Sequence, residues 1–125
     1  MPTPDPIETT VFTKCQAACP RVYPCTLPKN PTFPAITYQV ISETPITGLA
    51  SISKTSRKRF QFDCWDKTYE AAKTLSMTLA SALGDGTLRA QPVLSLDTYE
   101  AETQLFRVTL DWTIWNNYAD GLSHS

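Results

Sequence analysis

The sequence predicts an α+β fold, a mostly antiparallel sheet with helices packed on one face. Three observations carry this. Residues 57–65 and 105–115 alternate apolar and polar side chains with period two. Between them, residues 66–83 repeat apolar side chains at helical spacing. Every proline except Pro92 lies at or before Pro45, so regular structure concentrates in the C-terminal two thirds.

The elements follow in order. A first helix starts near Pro6, with Asp5 as N-cap, and runs to about Ala18. Ile7, Val11, Cys15 and Ala18 recur along it at helical spacing, and Pro20 ends it. The following stretch carries Pro20, Pro24, Pro28, Pro31 and Pro34, which leaves room only for short extended pieces such as residues 21–23. Residues 35–42 read AITYQVIS, a strand rich in β-branched side chains. Residues 43–56 are polar, with Pro45 and Gly48, and read as a long loop.

In residues 57–65 one face holds Phe60, Phe62 and Cys64, and the other Arg59, Gln61 and Asp63. The next helix takes Asp66 as its N-cap and Glu70 in its first turn. Tyr69, Ala72, Leu75, Leu79 and Leu83 form its apolar stripe, and Gly84 stops it. Residues 87–96 are extended but contain Pro92, which suits an edge strand. Residues 97–103 form an acidic turn. The strand over residues 105–115 puts Phe106, Val108, Leu110, Trp112 and Ile114 on one face. Arg107, Thr109, Asp111 and Thr113 lie on the other. Residues 116–125 read as a loose polar tail.

A chain of 125 residues is one domain, large enough to bury a core without disulfides or metal. Residues 1–34 form its proline-rich N-terminal segment and residues 35–115 its core. The net charge of -1 gives the whole molecule no electrostatic footprint for nucleic acid, so any DNA contact needs a local patch. No apolar run reaches membrane-spanning length, and the N-terminal MPTPDPIETT lacks the pattern of a signal peptide. These features place the chain in the cytoplasm where it is made.

Catalytic chemistry is not evident. His124 is the one histidine and sits in the tail, so no nucleophile has a positioned base. Asp63 and Asp66 flank Trp65, but a polar strand face and a helix cap account for them better than an acid pair. Asp97, Glu100 and Glu102 lack a glycine-punctuated calcium loop. Cys15, Cys19, Cys25 and Cys64 do not form two close ligand pairs, so they read as reduced thiols acting as small apolar groups. Tyr23, Tyr38, Phe60 and Trp65 read as core. No catalytic, cofactor or metal residue is assigned, and no cofactor is expected. The single basic run, Lys54, Arg57, Lys58 and Arg59, is the candidate patch for an acidic partner or for phosphate; solvated charge at a strand start competes with that reading.

The order of segments is itself informative. PAITYQVIS, a polar loop, SRKRFQFDCWDKTYEAAKTLSMTLASALG and DTYEAETQLFRVTLDWTIW follow one another. This order resembles the phage tail-completion proteins, the tail-to-head joining or tail-terminator proteins of long-tailed bacteriophages. Ser56 and Arg57, the strand end from Phe62 to Trp65, Tyr69 and Ala72, and the segment from Tyr99 to Trp112 carry most of it. It extends over residues 34–115; the cysteine- and proline-rich segment before them departs from it.

The resemblance implies a non-enzymatic virion protein at the top of the tail. Such proteins form a homohexameric ring that caps the tail tube and joins it to the head connector. DNA passes through the lumen with transient, non-specific contact. The implied partners are further copies of the chain, the tail tube protein and the head-connector protein, with no membrane. Assembly would take place in the host cytoplasm. Strand edges and the N-terminal segment are the expected ring contacts. A small monomeric binding or regulatory module is the competing reading.

Overall fold

The computed structural model of the chain describes residues 6–46, 55–86 and 88–117. Among them the chain forms α1 (Pro6–Ala18), β1 (Val22–Pro24), β2 (Ala35–Ile46), β3 (Thr55–Asp66), α2 (Tyr69–Leu83), β4 (Ala90–Glu100) and β5 (Leu105–Asn117). The strands make one five-stranded sheet in the order β1-β2-β3-β5-β4. Every pairing is antiparallel except the short parallel pair of β1 with β2. This is the expected α+β architecture.

The two period-two segments are direct neighbours. Phe60 faces Trp112, Phe62 faces Leu110 and Cys64 faces Val108. All six are buried on one face of the sheet. The Phe60 and Phe62 rings stack with centroids 5.9 Å apart. Burying each such aromatic is worth about 1.5–3 kcal/mol. The helix α2 lies over β3 and β5 on this face, and α1 packs against α2. Ala72, Leu75, Leu79 and Leu83 supply the buried stripe of α2; Val11, Cys15 and then Cys19 supply that of α1.

Several sequence expectations shift. The segment over residues 43–56 is not a free loop. β2 continues to Ile46 and β3 starts at Thr55, with Pro45 opposite Ser56. Polar residues persist in strand here across from one another, Glu43 opposite Lys58 and Ser42 opposite Arg59. Residues 47–54 lie outside the described residues, as do Asp5, Lys54 and the tail from residue 118. Asp66 is not the N-cap of α2. Asp66 ends β3 and its carboxylate accepts from the Lys67 amide, while Thr68, in extended backbone, accepts from the Ala71 amide at 3.2 Å. Tyr69 is exposed rather than core. Its hydroxyl donates to Asp97 at 2.9 Å and its ring meets Phe106 edge-on.

Gly84 does end α2, but with φ -95° rather than in a left-handed cap. A Cβ there would come within 3.3 Å of the Ala80 carbonyl and 3.6 Å of Trp112, so close packing favours glycine. Gly86 carries the positive φ, +97°. The acidic stretch after residue 96 is strand as far as Glu100. The turn is residues 101–104, and Gln104 closes it at φ 57°.

Strands β2 and β4 are each interrupted by a bulge. In β2 the register shifts between Val40 and Ser42, and in β4 between Pro92 and Leu94. The placement of β4 at the edge agrees with the proline it contains.

Candidate functional site

The sheet has a second face, turned away from the helices, and it is built from the polar halves of the same strands. Arg59 sits opposite Thr113, Gln61 opposite Asp111, Asp63 opposite Thr109 and Trp65 opposite Arg107. The Arg59 guanidinium donates to Asp111 at 2.8 Å. The Thr109 hydroxyl donates to Asp63 at 2.6 Å, and the Gln61 amide donates to the same carboxylate at 3.2 Å. The indole of Trp65 donates to Thr37 at 3.0 Å, with Arg107 5.3 Å above its ring. Arg107 also approaches Glu100 at 3.4 Å. Trp65 therefore belongs to this polar face and not to the core. Asp111 is the deepest charge on it, 6 % exposed, and its Oδ1 has no partner among the described residues.

The pleat divides the basic run. Arg57 and Arg59 point to the polar face. Lys58 points the other way and is 3 % exposed. Its ammonium donates to Glu8 of α1 at 3.0 Å and lies 3.9 Å from Glu43. Lys58 thus ties α1 to the sheet and does not share a surface with the two arginines. Lys54 lies outside the described residues. Period-two parity could have separated Lys58 from its neighbours, since it falls in phase with Phe60.

A small cavity opens where Ser42, Arg57, Arg59, Val93 and Thr113 meet, with a volume of about 180 Å³. These residues come from β2, β3, β4 and β5 and form one row across the polar face. The free edge of β4 is a second surface. Val93, Leu94, Leu96 and Tyr99 are each about half exposed, from 49% to 53%. A groove between α2 and this strand is lined by Met77, Ala80, Pro92 and Trp112. The sequence marked β4 as an edge strand but gave its leucines no role. At the outer side of α2, Lys73 donates to Asp97 at 3.0 Å. That hydrogen bond, with a second from Tyr69, holds the Asp97 carboxyl below its ordinary range.

The thiols lie elsewhere. Cys15, Cys19 and Cys64 are buried between the helices and the sheet, while Cys25 is exposed. Burial pushes the Cys15 thiol up to about 12, with Cys19 adding to the shift. Burial likewise raises Cys64. Among the described residues no cluster of three or more His, Cys, Asp or Glu is arranged to hold a metal ion. No helix among them is long and apolar enough to cross a membrane.

A family model described as "Tail completion protein gp17" matches residues 9–116. The class of protein is therefore that of phage structural tail proteins. The chain belongs to the tail completion protein gp17 family. Among solved structures, it is similar to a chain from the virion of a native gene transfer agent particle. The identity is 12%, the TM-score 0.58, and the match covers 84% of this chain and 90% of that one. At this identity the likeness shows a shared fold. A search of curated proteins finds no match.

Proposed function

We propose that this protein forms a homohexameric ring that caps the tail tube and joins it to the head connector, with DNA passing through the lumen. It acts there as a scaffold, without covalent chemistry. The observation that supports this best is the open edge of β4. Along its eleven residues the outer side of β4 pairs with no other strand among the described residues, and Val93, Leu94 and Leu96 stand half in water beside it. Such an edge is a template for a neighbouring chain, and repetition of one heterologous contact closes a ring. The outer edge of β2 beyond Tyr38 is likewise uncovered by β1.

The polar face suits a conduit. Arg59 beside Asp111, Arg107 beside Glu100, and Asp63 between them mix the two signs of charge. A surface mixed in this way does not grip a phosphate backbone as a basic one does. Arg57 and Arg59 are the residues of the basic run available to an acidic partner or to DNA; Lys58 is engaged with Glu8.

The test joins two measurements. Light scattering on the purified chain reads its mass, and electron microscopy of lysates from a complemented phage reads its place. Replacing residues 47–54 by a short Gly/Ser linker should leave the subunit folded, since loop closure changes by only about 0.6 kcal/mol per doubling of length. The same variant should leave filled heads and separate tails. Normal particles with the shortened connection would remove its docking role. A chain that stays monomeric and is absent from particles would favour a small binding module instead.

A further inference from the structure

The two ends of the sheet are electrostatically unlike, and each holds a charge with no ion pair among the described residues. At one end, Arg57 and Arg59 border the 180 Å³ cavity with the hydroxyls of Ser42 and Thr113 and the apolar wall of Val93. Arg59 already pairs with Asp111 through one nitrogen, and its Nε is buried without an acceptor among the described residues. Arg57 is exposed and has no ion pair among them. Two guanidiniums against one carboxylate leave the cavity with about one net positive charge.

At the other end, the turn of residues 101–104 joins β4 to β5. Glu100 there is occupied by Arg107 and by the Thr103 hydroxyl. Glu102, exposed at the tip, has no ion pair among the described residues. Leu105 and Thr113 are eight residues apart along β5, so the two ends are separated by about 27 Å. Arg57 and Glu102 therefore cannot meet within one chain.

We propose that the cavity bounded by Ser42, Arg57, Arg59, Val93 and Thr113 receives the Glu102 carboxylate of a second copy of this chain. This rests on the ring reading above and names one of its contacts. The match is in charge, one carboxylate for one net positive charge, and in shape. The methylenes of a glutamate can lie along Val93 while its oxygens accept from Arg57 and from the two hydroxyls. A DNA phosphate is the poorer occupant, because Asp111 lies beside it and the surrounding face carries both signs of charge. The contact joins unlike surfaces head to tail, as ring closure requires.

The test is a charge swap. Arg57 and Glu102 are both exposed, so Arg57→Glu and Glu102→Lys should melt like the parent chain. Each alone sets like charges against each other at every contact. Each should weaken self-association by roughly tenfold or more, read by sedimentation equilibrium, and reduce incorporation into particles. The double variant, and an equimolar mixture of the two single variants, should both recover assembly, because opposite charges then meet again. Single variants that assemble as the parent does, or a mixture that fails to recover, would overturn the proposal. So would an Arg57→Glu chain that loses binding to a duplex oligonucleotide yet assembles normally, which would assign the cavity to phosphate. None of these outcomes removes the tail role, which fails separately if the unmodified chain is absent from particles.

Discussion

Strands β3 and β5 present two faces made from alternate residues of the same eight or so positions, and the faces follow opposite rules. On one, Phe60, Phe62, Val108, Leu110 and Trp112 are closed over by α2. On the other, Arg59 pairs with Asp111 and Thr109 with Asp63, and the Arg59 Nε and Asp111 Oδ1 are left without a partner among the described residues. The first face holds the subunit together by removing area from water. The second contributes little to that and is free to be read by another molecule. Stability and assembly are thus separated by the pleat rather than by distance along the chain.

Adjacent residues can break this comparison. Leu110 and Asp111 are neighbours in β5 on opposite faces, and both are buried. Leu110→Asp places a carboxylate beneath α2 with no partner, and should cost several kcal/mol and yield insoluble protein. A soluble variant with the parent's melting temperature would show the faces to be misassigned. Asp111→Ala removes the acceptor of Arg59, whose own side chain is 43% exposed and can turn to water. The expected loss is smaller, about 1–3 kcal/mol by denaturant titration, with the fold retained. A loss as large as that of Leu110→Asp would make the polar face part of the core.

A third measurement sharpens the covered side through its thiols. The folded-state pKa of Cys15 lies near 12 against an ordinary value of 9.0. The folded state keeps its proton where the unfolded chain would lose it. The corresponding stability is whole below about pH 9 and is lost as pH rises toward 12. At one pH unit above the ordinary value the loss from this group is about 1.4 kcal/mol. Thermal melts between pH 8 and 11 should fall in this way, and more gently in Cys15→Ala. An identical pH dependence in that variant would assign the alkaline loss to other groups.

Most of the fold was legible because period-two and period-3.6 patterns survive wherever a face is buried. The pairing of β3 with β5 and the burial of Phe62 and Leu110 follow from that, while the edge position of β4 follows from Pro92. The hairpin beyond Val40 was not legible, because Ser42 and Glu43 are exposed polar residues, and in sequence they look like a loop. The strand β1 falls within one residue of the short extended piece read at residues 21–23, but three residues carry no sign of its parallel pairing with β2. Thr68 displaced Asp66 as the cap because β3 runs further than its apolar alternation. Adjacency in sequence groups Lys58 with Arg57 and Arg59. Its partner Glu8 stands fifty positions earlier, a contact that only the packing of α1 creates. The leucines of β4 were visible, but nothing in a single strand tells which way they point.

Val93 decides that direction. Pro92 lies opposite Trp112, and if pairing ran on through Val93 without a bulge, Leu94 would fall opposite Leu110 and Leu96 opposite Val108, under the helix. With it, Leu94 faces Asp111 and Leu96 faces Thr109, while Ser95 and Asp97 take the inner places. One inserted residue inverts the parity of the rest of the strand. The chain thereby gives up two leucines' worth of interior and places them on its rim, beside the Arg59–Asp111 pair. Deleting Val93 would remove the bulge and still leave Leu94 opposite Asp111 and Leu96 opposite Thr109, so the leucines would stay on the rim.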